Sequence, residues 1–169
     1  MDKYYYLISS LPLLKFSDKP PITAGDFIAE SQKWLSETEF ALLSKVDINN
    51  PGPDEDDTQI LKTWKDFEYS IAQELSAYRS AKKKNLEYRL SKYLSDIVEG
   101  DNNPLVVEKR LLFLKWDFLE EQEAGHFFDL DFLIIYYLKL QILQRQFSFN
   151  KEKGKARFED LSRVDLPLI

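Results

Sequence analysis

The fold of this chain is decided by residues 103–147, which read NPLVVEKRLLFLKWDFLEEQEAGHFFDLDFLIIYYLKLQILQRQF. The Asn-Pro pair that opens the stretch is typical of a helix start, since Asn caps free amides and Pro is tolerated at the first helical position. Apolar residues then recur at helical spacing as far as Gly125. Asp129 or Asp131 is expected to begin a second long helix. The short connection between the two predicts that they pack antiparallel.

Two further helical segments precede this stretch. Thr58 is expected to open a long helix that ends near Lys83. Apolar side chains follow Thr58 at steps of three and four, which places them on one helix face: Leu61, Trp64, Phe67, Ile71, Leu75 and Tyr78. A second segment over 86–98 has the same periodicity and is predicted to be a helix that Gly100 stops.

The first part of the chain, residues 1–46, is predicted to form a small N-terminal lobe. Thr23 and Ser36 each precede an acidic residue by three positions, the spacing of a capping box, so each is expected to start a short helix. Residues 4–14 are rich in tyrosine and leucine. They are a short buried strand, a helix or an irregular apolar segment, because periodicity cannot decide among these over so few residues.

The clearest break in the chain is 47–57, DINNPGPDEDD, which predicts a solvated acidic loop between the lobe and a main bundle over 58–165. We therefore predict an all-α fold. It is an antiparallel helical bundle of about five to seven helices with a small N-terminal lobe, in one domain over 1–169. The apolar end of the chain, 164–169, suggests that the natural protein is longer.

Composition excludes several classes of protein. The formal net charge of −6 disfavours binding to nucleic acid or to anionic lipid. The chain has no cysteine, which excludes disulfides, thiolate metal sites and a cysteine nucleophile. The longest apolar run, Phe132–Leu138, is far shorter than the roughly 20 residues that span a bilayer. We expect a cytoplasmic protein, held at a membrane, if at all, by a protein complex.

His126 is the one histidine and the first candidate for a metal ligand. It follows Glu123 in the E-x-x-H spacing of di-iron bundles, but such sites need two of these motifs and further glutamates. One histidine without cysteine builds a zinc site only if carboxylates complete it. The favoured interpretation is a histidine that hydrogen-bonds at a helix turn. No catalytic residue, cofactor or metal ligand is predicted, and a carboxylate/His metalloenzyme remains a remote alternative.

Several stretches of the chain resemble a known family. They are Lys3–Pro12, Trp116–Glu121, Gly125–Asp131, Tyr137–Arg145 and Glu152–Lys155. The family consists of uncharacterised bacterial proteins encoded among V-type ATPase subunits, and it is distantly similar to the C (or d) subunit of V/A-type ATPases. The resemblance implies a non-catalytic, all-helical subunit of a proton- or sodium-transporting complex. Its implied partners are the central-stalk and membrane-ring subunits, which it would couple.

Three residues are predicted to bind a partner. Tyr4 and Tyr5 are expected to be exposed aromatic anchors, because aromatic side chains dominate many protein interfaces. Arg145 either pairs with a carboxylate inside the bundle or presents its guanidinium to a partner. Lys139, on the same helix, also has a polar group that could bridge to a carboxylate of a neighbouring helix. The alternative to an ATPase subunit is a helical interaction domain with another partner.

Overall fold

The computed structural model describes residues 2–50, 52–100 and 103–163. Within these ranges the protein consists of α-helices without any strand, which confirms the all-α class. The predicted apolar end at 164–169 lies outside the described residues. The helices are α1 (Asp2–Ser10), α2 (Ala24–Gln32), α3 (Glu37–Ser44), α4 (Gln59–Lys83), α5 (Lys92–Val98), α6 (Pro104–Glu123), α7 (Leu130–Ser148) and α8 (Lys151–Ser162).

Side-chain caps begin most of these helices. Thr23 and Ser36 both form complete capping boxes, at the starts of α2 and α3. Thr58 caps α4 and Asn103 caps α6. Of the two aspartates considered for α7, Asp129 is the cap. The predicted starts are confirmed because each cap oxygen accepts a hydrogen bond from an amide that the first helical turn leaves unpaired.

Helices α6 and α7 form the centre of the molecule. Lys139 of α7 pairs with Glu120 of α6, whereas Arg145, further along α7, pairs with Glu108, which lies earlier in α6. The two helices therefore run antiparallel, as predicted. Helix α7 is the most buried element, since its apolar residues surround it almost completely. The residues that it buries are Leu133, Ile134, Ile135, Tyr136, Leu138, Lys139, Leu140, Ile142 and Leu143.

The N-terminal segment forms a helix, which settles the alternatives that the sequence left open. Leu7 of α1 is fully buried in the same core cluster as Phe27, Leu43 and the central residues of α7. Just after α1, the carbonyl of Pro12 accepts a hydrogen bond of 2.8 Å from the hydroxyl of Tyr136. The residues before the acidic loop thus share one hydrophobic core with the residues after it.

The chain after α3 is also tied to α7. The side-chain amide of Gln141 donates to the carbonyl of Val46 at 2.9 Å and accepts from the amide of Ile48 at 3.0 Å. Both groups of one glutamine are satisfied by backbone, so this partly buried side chain fixes the entry to the acidic loop. Asp57, at the end of that loop, pairs with Lys65 of α4 at 2.7 Å.

The prediction of one helix over 86–98 is wrong in its first half. Helix α4 ends in a left-handed cap at Asn85, whose φ is 54°, and the amide of Leu86 donates to the carbonyl of Ala81 at 2.9 Å. Asparagine tolerates this conformation, which ends a helix and turns the chain. Only Lys92–Val98 is helical.

A second, smaller core lies where this turn returns to α4. Leu90 and Leu94 are buried against Ile71 and Leu75. The apolar spacing that predicted a longer helix therefore does mark residues that are buried. Leu90 reaches the core from an irregular segment, which periodicity alone does not distinguish from a helix.

The residues after α7 form helix α8, which apolar periodicity does not indicate. The side chain of Asn150 caps it by accepting from the amides of Glu152 and Lys153. Phe158 and Leu161 of α8 are both more than two-thirds exposed. None of the helices in the described part of the chain is both long and apolar enough to cross a membrane.

Candidate functional site

Four exposed aromatic side chains form a continuous surface, which we call the aromatic face: Tyr5, Tyr6, Trp34 and Phe128. The ring centroids of Tyr5 and Phe128 lie 5.2 Å apart, those of Tyr5 and Tyr6 5.9 Å, and those of Tyr6 and Trp34 5.8 Å. Each of the four side chains is between 39% and 59% exposed. The face thus combines helix α1, the end of α2 and the α6–α7 connection.

The periodicity of α1 directs its tyrosines to opposite sides. Leu7 is buried, and Tyr4, Ile8 and Leu11 pack against the same core at the helical spacing of three and four. Tyr5 and Tyr6 fall between these positions, so they point to solvent.

Trp34 is held at the end of α2 by its own helix. Its indole Nε1 donates to a carboxylate oxygen of Glu30 at 3.2 Å, four residues earlier. The indole ring stacks on Tyr6 with an angle of 21° between the ring planes. Trp34 is therefore oriented before any partner binds, which lowers the entropy lost on binding.

The α6–α7 connection presents Phe128. Gly125 begins the turn with a φ of 96°, a left-handed conformation that favours glycine. Nδ1 of His126 lies 2.7 Å from a carboxylate oxygen of Asp129, whose other oxygen accepts from the amide of Phe132 at 2.8 Å. These contacts fix both ends of the turn, and Phe128 and its neighbour Phe127 remain exposed between them.

Carboxylates gather behind the aromatic face. The hydroxyl of Tyr4 donates to Glu39 of α3. Burial, this hydrogen bond and the negative charges of Glu39, Asp129 and Asp131 all raise the pKa of Tyr4. Three carboxylates therefore act on one side chain next to Tyr5, and the surroundings of the face are acidic.

Only one of the three predicted binding residues lies on this face. Tyr5 is part of it. Tyr4 differs from the expected exposed anchor, because it is partly buried against the core and bonded to Glu39. Arg145 lies about 22 Å along α7 from its first residue, at 1.5 Å per residue. The binding roles of all three stay predictions.

Arg145 and Lys139 both pair with carboxylates of α6. Nε of Arg145 lies 2.6 Å from Glu108, and the guanidinium lies 6.0 Å from the ring centroid of Phe149. Lys139 is only 5% exposed. Its ammonium pairs with Glu120 at 2.8 Å and with Glu123. The first alternative for Arg145, pairing within the bundle, is thus observed.

The E-x-x-H pair does not converge on one point. Glu123 pairs with Lys139, whereas His126 bonds to Asp129 and lies 4.0 Å from a carboxylate oxygen of Asp131. No group of three or more potential ligands is arranged to hold a metal among the described residues. The interpretation of His126 as a histidine that hydrogen-bonds at a helix turn is confirmed.

The acidic loop lines a cleft of about 670 Å³ together with α3 and the start of α4. The carboxylates of Asp47, Asp54 and Asp57 line it, and so do Lys45 and Lys65. Asp57 is already paired with Lys65, and both side chains are largely buried. The cleft is thus built around an internal ion pair, and none of the four residues of the aromatic face lines it.

Tyr6, Trp34 and Phe128 were not predicted as site residues. A signal for Tyr6 exists, because a helical interpretation of residues 4–14 would place Tyr5 and Tyr6 together on the outer side. Trp34 and Phe128 come from distant parts of the chain. Only the packing of α1 against α2 and the α6–α7 turn brings them together.

Comparison with known proteins identifies a family. A family model described as "Protein of unknown function (DUF2764)" matches residues 68–164, more than half of the chain. The match covers Phe128 but not α1 to α3. No curated protein and no solved structure matches the chain. The chain therefore belongs to the DUF2764 family.

Proposed function

We propose that this protein is a non-catalytic subunit or adaptor that binds another protein through its aromatic face. The observation that carries the proposal is the continuous chain of ring contacts from Trp34 through Tyr6 and Tyr5 to Phe128, all of them exposed. Tyrosine and tryptophan are enriched among the residues that contribute most to protein–protein binding.

The shape and charge of the surroundings favour a protein as the partner. Small ligands are usually bound in concave, enclosed pockets, whereas the four side chains of the aromatic face are exposed. The acidic groups beside it, Glu39, Asp129 and Asp131, would repel the phosphates of nucleic acid or anionic lipid. A protein surface can supply both apolar area and matching charge.

We further propose that the complex is a V-type ATPase, in which the protein would couple the central stalk to the membrane ring from the cytoplasmic side. This step rests on the sequence resemblance described above. Two of the resembling stretches, Lys3–Pro12 and Gly125–Asp131, contain Tyr5, Tyr6 and Phe128. The residues that suggest the family thus include three of the four on the aromatic face.

The test is a tagged pull-down from detergent-solubilised membranes of the source cell, with the bound proteins identified by mass spectrometry. The wild-type protein should recover V-type ATPase stalk and ring subunits in a fixed ratio. The double variant Tyr5→Ala/Phe128→Ala should lose more than about nine-tenths of this recovery, as expected when interface anchors are removed. Its unfolding midpoint in urea should stay close to that of the wild type.

The matched control is Phe158→Ala, which removes an exposed aromatic ring of α8. It should recover the same subunits as the wild type. If the double variant and the control bind equally, the aromatic face is not the docking surface. If cells that express the ATPase yield only the tagged protein, the coupling role is wrong. Another partner, lost in the double variant, would support docking without the ATPase.

A further inference from the structure

We propose that the segment bound by the aromatic face is basic, with arginine or lysine side chains beside apolar ones. This deepens the proposed docking function and rests on it. The inference comes from the arrangement of carboxylates at both ends of the face and from the chemistry of the rings between them.

One end of the face carries two aspartates. Asp129 directly follows Phe128, and Asp131 lies in the first turn of α7. Asp129 bonds to a backbone amide and to His126, and Asp131 lies 4.0 Å from the same imidazole. A single imidazole faces two carboxylates here, so acidic groups outnumber the one basic side chain that contacts them.

The other end of the face carries glutamates. Glu30 accepts from the indole of Trp34 and pairs with Lys33 at 2.5 Å. Glu37 and Glu39 occupy the first turn of α3, which begins three residues after Trp34, and Glu39 also bonds to Tyr4 behind the face. Over residues 30–39, three glutamates are therefore set against one lysine, Lys33.

The rings between the two ends also favour cations. The face of an aromatic ring attracts a guanidinium or an ammonium group, most strongly for tryptophan and tyrosine. Guanidinium is weakly hydrated and stacks on aromatic rings, so arginine suits a surface that is partly apolar and partly acidic. An acidic segment would be repelled at both ends, and a purely apolar one would gain nothing from the negative charge of the carboxylates.

The experiment titrates the whole protein with an acetylated octapeptide of alternating arginine and leucine, observed by ¹H–¹⁵N NMR. Trp34 offers a direct probe, since its indole N–H lies on the face whereas Trp64 and Trp116 are buried. We expect saturable shifts of the Trp34 indole signal and of the backbone amides of Tyr5, Tyr6 and Phe128. The corresponding glutamate–leucine peptide should cause no shift at these positions.

Single variants separate the rings from the charges. Tyr5→Ala should weaken peptide binding about tenfold, the equivalent of about 1.4 kcal/mol. Asp131→Asn, which keeps the Asp129 cap, should weaken it about threefold and reduce its dependence on salt, because one attractive charge is lost. The control is Asp160→Asn, which removes the same charge from exposed α8 and should change nothing.

Three outcomes would overturn the proposal. They are the absence of saturable binding, equal shifts by the glutamate peptide, and shifts centred on the acidic loop. Adding the arginine peptide to the pull-down distinguishes the two proposals. If the partner is recovered through Tyr5 and Phe128 but the peptide neither binds nor competes, docking stands and the basic segment is wrong. If the peptide binds to the face but no partner is recovered, docking to the proposed complex is wrong, whereas the preference of the face for basic segments stands.

Discussion

Two sets of aromatic rings in this protein have similar distances between ring centroids and opposite environments. In the interior, Phe27 stacks on Tyr136 and Tyr137 with centroids 5.4 and 5.1 Å apart. On the aromatic face, the ring centroids are separated by 5.2 to 5.9 Å. The inner rings of Phe27 and Tyr136 are at most 7% exposed, whereas every ring on the aromatic face exceeds 38%. Ring contact alone therefore does not reveal whether an aromatic cluster holds the fold or awaits a partner.

The same contrast recurs in the cation–ring pairs of α7. The ammonium of Lys139 lies 5.3 Å from the ring centroid of buried Trp116. Arg145 lies 6.0 Å from the ring centroid of exposed Phe149. What differs is water, which competes for every contact of the outer pair and is excluded from the inner one. The inner contacts should therefore contribute to stability and the outer ones should matter little until a partner covers them.

The largest expected effect contrasts Phe27→Ala with Tyr6→Ala. Removing the fully buried Phe27 ring leaves a cavity and should lower the free energy of unfolding by about 3–5 kcal/mol. Removing the Tyr6 ring should change it by no more than about 0.5 kcal/mol. Urea denaturation followed by circular dichroism measures both. Comparable losses of unfolding free energy in the two variants would show that the rings of the aromatic face stabilise the fold as the inner rings do.

The next effect concerns Lys139. Its stem is buried, while Glu120 and Glu123 are 51% and 35% exposed and can be hydrated if the ammonium is lost. Lys139→Ala should therefore cost about 2 kcal/mol, mostly through lost packing. Lys139→Met keeps most of that volume and should cost less than about 1 kcal/mol. Thermal and urea unfolding of the two variants give these values.

Arg145→Ala is the outer counterpart of this experiment. The pair that it breaks is largely exposed, so the loss should lie between about 0 and 1 kcal/mol.

A Lys139→Met variant as unstable as Lys139→Ala would mean that charge, not packing, is the main contribution of Lys139. In that case the two carboxylates are less hydrated than their exposure indicates.

Much of the fold could be predicted from the sequence, at the places where local chemistry decides the structure. Capping boxes at Thr23 and Ser36 and the Asn103 cap are local, because a side chain three positions away satisfies the amides of its own helix. The antiparallel pairing of α6 and α7 follows from a short connection. These features were predicted and are confirmed.

The candidate site was harder to predict because it depends on contacts between distant residues. Helix α1 was ambiguous, since a short apolar run fits a strand as well as a helix. Which tyrosine points outward depends on that choice, so Tyr4 and Tyr5 could not be separated. The partners of Tyr5 and Tyr6 on the face, Phe128 and Trp34, follow from tertiary packing that no local pattern encodes.

A smaller effect should follow from Tyr136→Phe. The hydroxyl of Tyr136 donates to the carbonyl of Pro12, and burial raises its pKa. Losing the hydroxyl leaves this carbonyl without that donor, which should cost about 1 kcal/mol. The control Tyr6→Phe removes a hydroxyl from the aromatic face and should cost less than about 0.5 kcal/mol. Equal losses, measured by urea unfolding, would indicate that water already replaces the inner hydrogen bond.

The smallest effect is a pH dependence beside a different pair of stacked rings, Phe67 and Phe118. Glu68 adjoins Phe67, whose ring stacks on Phe118 at 3.9 Å. One carboxylate oxygen of Glu68 accepts from Lys115 at 2.9 Å, and the other is buried with no hydrogen-bond partner among the described residues. Burial raises the pKa of Glu68, and the positive charge of Lys115 only partly opposes this.

The sign of the effect follows from linkage. The folded state holds the proton of Glu68 more tightly than the unfolded state, so the contribution of Glu68 to stability is greatest at low pH. It should fall as the pH rises from about 4.3, the ordinary glutamate value, through the raised pKa. Glu68→Gln cannot titrate, so the wild type should lose stability relative to this variant over that range. The outer control, Glu159→Gln on exposed α8, should give curves parallel to the wild type. A wild type that instead gains stability relative to Glu68→Gln would mean that the attraction to Lys115 outweighs burial. The folded state would then hold the proton of Glu68 less tightly than the unfolded state.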